Sequence, residues 1–66
     1  MTRIRELRQK KGLSIAALCY ETKTHPTALS LAERRKLAPG KRVRDAVCSF
    51  LGIPENEAFD TDGLAL

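Results

Sequence analysis

Apolar side chains recur along this chain at the spacing of an α-helix, in short runs separated by glycine, proline and polar residues. The pattern predicts five helices, over residues 3–11, 15–22, 26–34, 41–51 and 55–59. The fourth is the clearest, because apolar residues at i, i+3, i+4, i+7 and i+8 from Val43 form one continuous face. No β-hairpin signal, internal repeat or low-complexity segment is present. We therefore expect an all-α fold of four to five helices.

The stretch from Ser14 to Glu33 predicts two short helices joined by a tight turn. Small apolar residues can meet between them, namely Leu18 and Cys19 on the first helix and Leu29 and Ala32 on the second. Lys23 stands at the turn position where glycine is most favoured. A left-handed conformation there costs a residue other than glycine about 1–2 kcal/mol. Pro26 suits the first position of the following helix, which either Thr24 or His25 can cap.

Residues at the other helix ends support the remaining boundaries. Gly12 suits the position just after the first helix, Ser14 is a good N-cap for the second, and Gly52 ends the fourth. At 66 residues and 42% hydrophobic composition, the chain is expected to form one domain. We assign residues 1–59 to that domain, with Phe59 covering the core. Residues 60–66 are predicted to be a tail, whose leucines can dock on a partner.

Charge is divided unevenly along the sequence. All twelve lysines and arginines lie within residues 1–44 beside three glutamates, which gives +9, whereas five acidic side chains give residues 45–66 a charge of −5. One part of the molecule therefore suits a polyanion such as nucleic acid, and the other repels it. The alternative is that these charges only keep a small protein in solution.

The remaining chemistry indicates a binding protein rather than an enzyme. Cys19 and Cys48 lack CxxC or Cys/His clustering, so we expect two reduced, buried thiols and neither a metal site nor a disulfide. His25 is a better candidate for a helix cap or a phosphate contact than for a metal ligand. No catalytic constellation, cofactor motif or small-molecule site is evident. No apolar run approaches the roughly 20 residues that cross a bilayer, and the basic start is unlike a signal sequence, so a cytoplasmic location is expected.

Three segments carry a resemblance to a known family: IRELRQKKGLS, then ALCYETKTHPTALSLAERRK, then PGKRVRDAVCSFLGIPENEAF. From about Arg3 to Phe59 the chain resembles the Cro and lambda-repressor-like helix-turn-helix family, often called XRE, with the helix-turn-helix unit at residues 14–34. The resemblance implies a compact DNA-binding domain of four to five helices. It also implies sequence-specific binding of double-stranded DNA, commonly as a homodimer.

The resemblance further implies roles for particular residues. Arg8 and Glu33 would form an ion pair that ties the first helix to the end of the third, the recognition helix. Base contacts would come from its exposed residues, namely Pro26, Thr27, Ala28, Ser30 and Leu31. Phosphate contacts would come from the residues around it, namely Thr24, His25, Arg34, Arg35, Lys36, Lys41 and Arg42.

Three positions depart from the family pattern. Ile15 stands where a glutamine is frequent, Leu31 where a longer polar residue is common, and Lys23 in place of the turn glycine. Either the protein recognises a T-rich or shape-dependent site, or Ile15 and Leu31 form an apolar interface with another protein. The two hypotheses are a small transcriptional regulator, a repressor of phage or mobile-element type in the bacterial cytoplasm or nucleoid, and a protein-interaction module that does not bind DNA.

Overall fold

A computed structural model describes the protein from Met1 to Leu66. Its five α-helices are α1 (Arg3–Lys10), α2 (Ile15–Thr22), α3 (Pro26–Glu33), α4 (Lys41–Leu51) and α5 (Glu55–Ala58). There is no β-strand, and one antiparallel bridge joins Phe59 to Ala65. The prediction of a small all-α domain is confirmed, and no helix end differs from its predicted position by more than one residue.

Side-chain caps begin the first three helices. Thr2 and Ser14 each accept a hydrogen bond from the backbone N–H three residues later, at 3.3 and 3.1 Å. His25 caps α3, where its Nδ1 accepts the N–H of Thr27 at 3.2 Å. Of the two residues predicted to cap this helix, His25 therefore performs the role.

Residues in the left-handed backbone conformation follow each of the first four helices, including Gly12 after α1, with a φ of 70°, as predicted. Gly52 has a φ of 71° after α4, as predicted. Lys23 has a φ of 54° after α2, so a residue with a side chain adopts the conformation that glycine would adopt more easily. Arg35, with a φ of 61°, is a second such residue, and the sequence pattern did not predict it.

The core lies where all five helices converge. Its largest fully buried side chains are Ile4 of α1, Leu18 of α2, Leu29 of α3 and Val47 of α4. Around them lie the smaller or partly exposed members of the same cluster, namely Cys19, Cys48, Leu51, Ile53, Ala58, Phe59 and Ala65. Helix α2 packs on α3 and α4, and α4 packs on α1 and α5. The predicted core faces of α2, α3 and α4 are thus confirmed.

Both cysteines are free and buried, as the sequence predicted. Burial raises the pKa of the Cys19 thiol, and the negative charge of Glu33 raises it further. Burial is also the main reason that the pKa of the Cys48 thiol is raised. The longest helix has eleven residues, and none of the five combines the length and apolar composition that a bilayer crossing requires.

The prediction that residues 60–66 form a tail is wrong. The segment turns at Asp60, whose backbone N–H donates to the Leu64 carbonyl oxygen at 2.8 Å, and Ala65 is completely buried in the core. Leu66 donates its N–H to the Ala58 carbonyl oxygen at 2.9 Å and accepts the N–H of Arg3 at 2.5 Å. The segment therefore links α5 to the start of α1 and belongs to the domain.

Candidate nucleic-acid interface

The connection between α2 and α3 is held by hydrogen bonds within it. The Thr22 hydroxyl donates to the Leu18 carbonyl oxygen at 2.7 Å and lies 3.0 Å from the Thr24 hydroxyl. The backbone N–H of Thr24 donates to the Cys19 carbonyl oxygen at 3.0 Å, and both threonines are buried. These contacts fix the position of α3 relative to α2. They also contradict the prediction that Thr24 is available for a phosphate.

An ion pair holds the other end of α3, as the family resemblance implied. Arg8 of α1 donates through Nε and a terminal nitrogen to the two carboxylate oxygens of Glu33, at 2.9 and 2.8 Å. A further Arg8 nitrogen donates to the Leu13 carbonyl oxygen at 2.7 Å. Hydrogen bonding to Glu33 raises the pKa of Arg8 above its usual value, although burial acts against this. Such two-pronged pairing fixes orientation as well as charge.

Helix α3 is consequently held at both ends while one of its faces lies open. Pro26 and Thr27 are exposed, and Ala28, Ser30 and Leu31 are half-buried. All five are short or apolar, and none is charged. The structure thus places the five predicted base-contacting residues together on the accessible side of one helix.

Cationic side chains lie beside the N-terminal end of α3. The Arg42 guanidinium, from the first turn of α4, donates to the Lys23 carbonyl oxygen at 3.0 Å. This contact brings the start of α4 next to the turn that precedes α3, so Lys23, Lys41 and Arg42 border the same region. Lys41 is exposed and pairs only with Asp45, which is also exposed, at 3.3 Å. Lys23, two residues before the α3 cap, was not among the predicted phosphate contacts.

More cations follow the C-terminal end of α3. Arg34 and Lys36 are exposed, and the Arg34 Nε donates to the Ser30 carbonyl oxygen at 3.3 Å. Lys36 has no side-chain partner. Together with the cations before Pro26, these residues place positive charge at both ends of α3.

Arg35 differs from its neighbours because its guanidinium binds the C-terminal segment of the chain. It donates to the Ala65 carbonyl oxygen at 2.5 Å and to the Asp60 carboxylate at 3.2 Å. These two contacts hold the C-terminal segment, and the phosphate contact of Arg35 stays a prediction. Ile15, which the sequence offered as part of an apolar interface, is half-buried and packs against the core cluster.

Two of the depressions on the rest of the surface are open and well defined. The larger, about 570 Å³, lies between α4, α5 and the C-terminal turn and is lined by Glu55, Asp60 and Asp62 with Arg44. The smaller, about 350 Å³, lies beside the chain ends and α3. No three His, Cys, Asp or Glu side chains come together in a way that holds a metal ion.

Comparison with protein-family models, with curated proteins and with solved structures gave no match to this chain.

Proposed function

We propose that this protein binds double-stranded DNA sequence-specifically as a small transcriptional regulator of the lambda-repressor-like helix-turn-helix class. In this proposal α2 and α3 form the helix-turn-helix unit, and α3 enters the major groove with its N-terminal residues toward the base edges. The protein represses by occupying an operator, in the manner of a phage or mobile-element repressor in the bacterial cytoplasm.

The observation that carries the proposal is the uncharged, accessible face of α3 between two groups of cations. The groove floor presents bases, whereas its walls present phosphates, so a neutral strip with positive borders fits both. His25, Lys23, Lys41 and Arg42 lie at one end of that strip, and Arg34 and Lys36 lie at the other. The acidic side chains of residues 45–66 belong largely to α5 and the C-terminal turn, and none of them lies on α3 itself.

The size of the domain supports action as a homodimer. Its longest dimension is 27 Å, whereas successive major-groove half-sites on one face of DNA are about 34 Å apart. One copy therefore covers one half-site, and two copies related by a twofold axis would cover a symmetric operator.

The alternative of a protein-interaction module is less well supported by the side chains. It requires Ile15 and Leu31 as anchors, and Ile15 is packed against the core. Tyr20, on α2, is 82% exposed, but it is the only exposed large apolar residue on that helix.

Selection of bound duplexes from a random pool, at low and at moderate salt, tests the proposal. We expect an enriched inverted repeat and an affinity that falls steeply as salt is raised. Leu31→Ala should change the enriched sequence, whereas Lys36→Gln should weaken binding to all sites alike. A folded protein that binds no duplex at low salt would overturn the proposal and favour the interaction module.

A further inference from the structure

We infer that α3 recognises its DNA site by contact with the 5-methyl groups of pyrimidines, through the side-chain carbons of Thr27, Ala28 and Leu31. Thymine and 5-methylcytosine would then be accepted alike at the contacted positions. This inference rests on the proposed function and specifies the chemistry by which the same surface selects its sequence.

The first step of the argument is that α3 offers few polar groups to a base. Pro26 has no N–H, and the N–H of Thr27 is occupied by the imidazole of His25 at 3.2 Å. No arginine, lysine, asparagine or glutamine lies on the accessible face, although these are the side chains that recognise purines by paired hydrogen bonds.

The second step concerns the nearest long side chains. The Arg42 guanidinium is held on the Lys23 carbonyl oxygen, and Arg34 is folded back onto the Ser30 carbonyl oxygen. Both contacts place the cations at the ends of α3 rather than over its middle. Their positions suit phosphates, which carry no base identity.

The third step compares how well the hydroxyl groups and the carbon atoms of the accessible face can discriminate between bases. A Thr27 or Ser30 hydroxyl both donates and accepts, so it pairs with nearly any base edge and discriminates weakly. A methyl group is different, because only thymine carries one in the major groove of unmodified DNA. The carbon atoms of Thr27, Ala28 and Leu31 are therefore the groups on α3 that can distinguish base pairs.

Methylated cytosine provides the sharpest form of the inference. Its methyl group occupies the same place in the groove as that of thymine, while its exocyclic amine replaces the thymine O4 acceptor. A surface that contacts only the methyl group accepts both bases, whereas a surface that hydrogen-bonds to O4 rejects 5-methylcytosine.

The test uses the full chain and a site obtained from the random-pool selection. Each thymine is replaced singly by deoxyuridine, and the Kd is measured by fluorescence anisotropy at one salt concentration. We expect a loss of about fourfold at each contacted position, which corresponds to one buried methyl group. Exchange of such a T·A pair for C·G should weaken binding, and methylation of that cytosine should restore the affinity to within about twofold of the original.

A matched pair of variants at Thr27, which is exposed, shows whether its methyl group or its hydroxyl contacts the base. Thr27→Ser removes only the methyl group and should abolish the preference for thymine over uracil at one position. Thr27→Val removes only the hydroxyl and should keep that preference.

The outcomes are distinct. No duplex binding, or binding without sequence preference, overturns the proposed function and this inference with it. Sequence-specific binding that is unaffected by uracil, or that is not restored by cytosine methylation, overturns the inference alone. The reverse behaviour of the two Thr27 variants, or no effect of either, also overturns it.

Discussion

The carboxylate of Glu33 is buried and depends on Arg8 of α1 for its compensating charge. We expect Arg8→Ala to leave that charge unpaired and to cost about 3–5 kcal/mol. A domain of this size has a stability of about the same magnitude, so the variant should be largely unfolded in water, as measured by circular dichroism and urea titration.

Arg5→Ala is the matched control, because Arg5 lies 3.9 Å from the same carboxylate but is 47% exposed. It should cost no more than about 1 kcal/mol. If the two alanine variants unfold at the same urea concentration, the pair between Arg8 and Glu33 does not have the structural role described.

The Asp60 carboxylate holds the C-terminal turn together through hydrogen bonds. Its Oδ1 accepts the backbone N–H groups of Leu64 at 3.0 Å and Asp62 at 2.9 Å, and Oδ2 lies 3.2 Å from Arg35. The Leu64 N–H contributes most to lowering the pKa of Asp60, and the Asp62 N–H and Arg35 add to it.

Because the folded-state pKa of Asp60 lies below its unfolded value of about 3.9, the charged form stabilises the fold above that pH. The contribution disappears as the pH falls through the folded-state pKa. Asp60→Asn should therefore unfold at lower urea than the native chain at pH 7, and the difference should shrink below about pH 4. Asp62→Asn, whose side chain accepts no hydrogen bond, should show no such difference. If the difference in stability between Asp60→Asn and the native chain is the same below pH 4 as at pH 7, the Asp60 carboxylate does not stabilise the fold in this way.

At the residue scale, the sequence predicted the features that depend only on residues close together in the chain. The caps at Ser14 and His25 and the left-handed turn at Lys23 follow from residue type and helix spacing. The buried hydroxyl of Thr24 and the internal partners of Arg35 do not, since Arg35 is 30 residues from the carbonyl oxygen that it binds. Such contacts depend on the packed arrangement of several helices and leave no periodic pattern.

At the scale of elements, the C-terminal segment is the part of the fold that sequence patterning missed. Its buried residue is Ala65, a small side chain in a seven-residue stretch too short to show a period. Helix α4 is the opposite case, because eleven residues with one apolar face predicted both its ends and its buried side. The open face of α3 was predicted from the positions of Leu29 and Ala32, which fix the side that packs inward.

Removal of residues 60–66 tests the role of this segment. The deletion takes away the partners of the Arg3 N–H and the Ala58 carbonyl oxygen, together with both partners of Arg35. We expect a loss of about 2–3 kcal/mol in the free energy of unfolding, measured by urea titration. Thr61→Ala, an exposed change in the same segment, should leave the midpoint unchanged. A truncated chain as stable as the full one would restore the view of this segment as a tail.

At the scale of the whole molecule, the uneven charge along the sequence becomes a difference between surfaces. The cations around α3 belong to residues 23–42, whereas α5 and the C-terminal turn carry the acidic groups that line the larger depression. If the protein binds DNA as proposed, this separation of charge orients it as it approaches DNA and keeps the acidic surface turned away.

The salt dependence of DNA binding measures how many of these cations contact phosphates. Lys36→Gln should lower the slope of log Kd against log salt by about 0.9, as expected for one lost phosphate contact. Lys11→Gln is the control, because Lys11 lies over the Phe50 ring near the far end of α4. That end is about 12 Å along the helix from Arg42. Equal slopes for the native chain and the Lys36 variant would remove Lys36 from the interface.

The hydrogen bond between the Arg3 N–H and the Leu66 carbonyl oxygen makes the two ends of the fold neighbours. A linker of a few residues would join them without displacing a helix, and new ends opened between the exposed Leu37 and Ala38 would yield a circular permutant. In that chain α4 and α5 would precede α1, α2 and α3 while every helix kept its present contacts. We expect the permutant to melt as one cooperative unit, because its stability depends on which surfaces meet and not on the order in which they are synthesised.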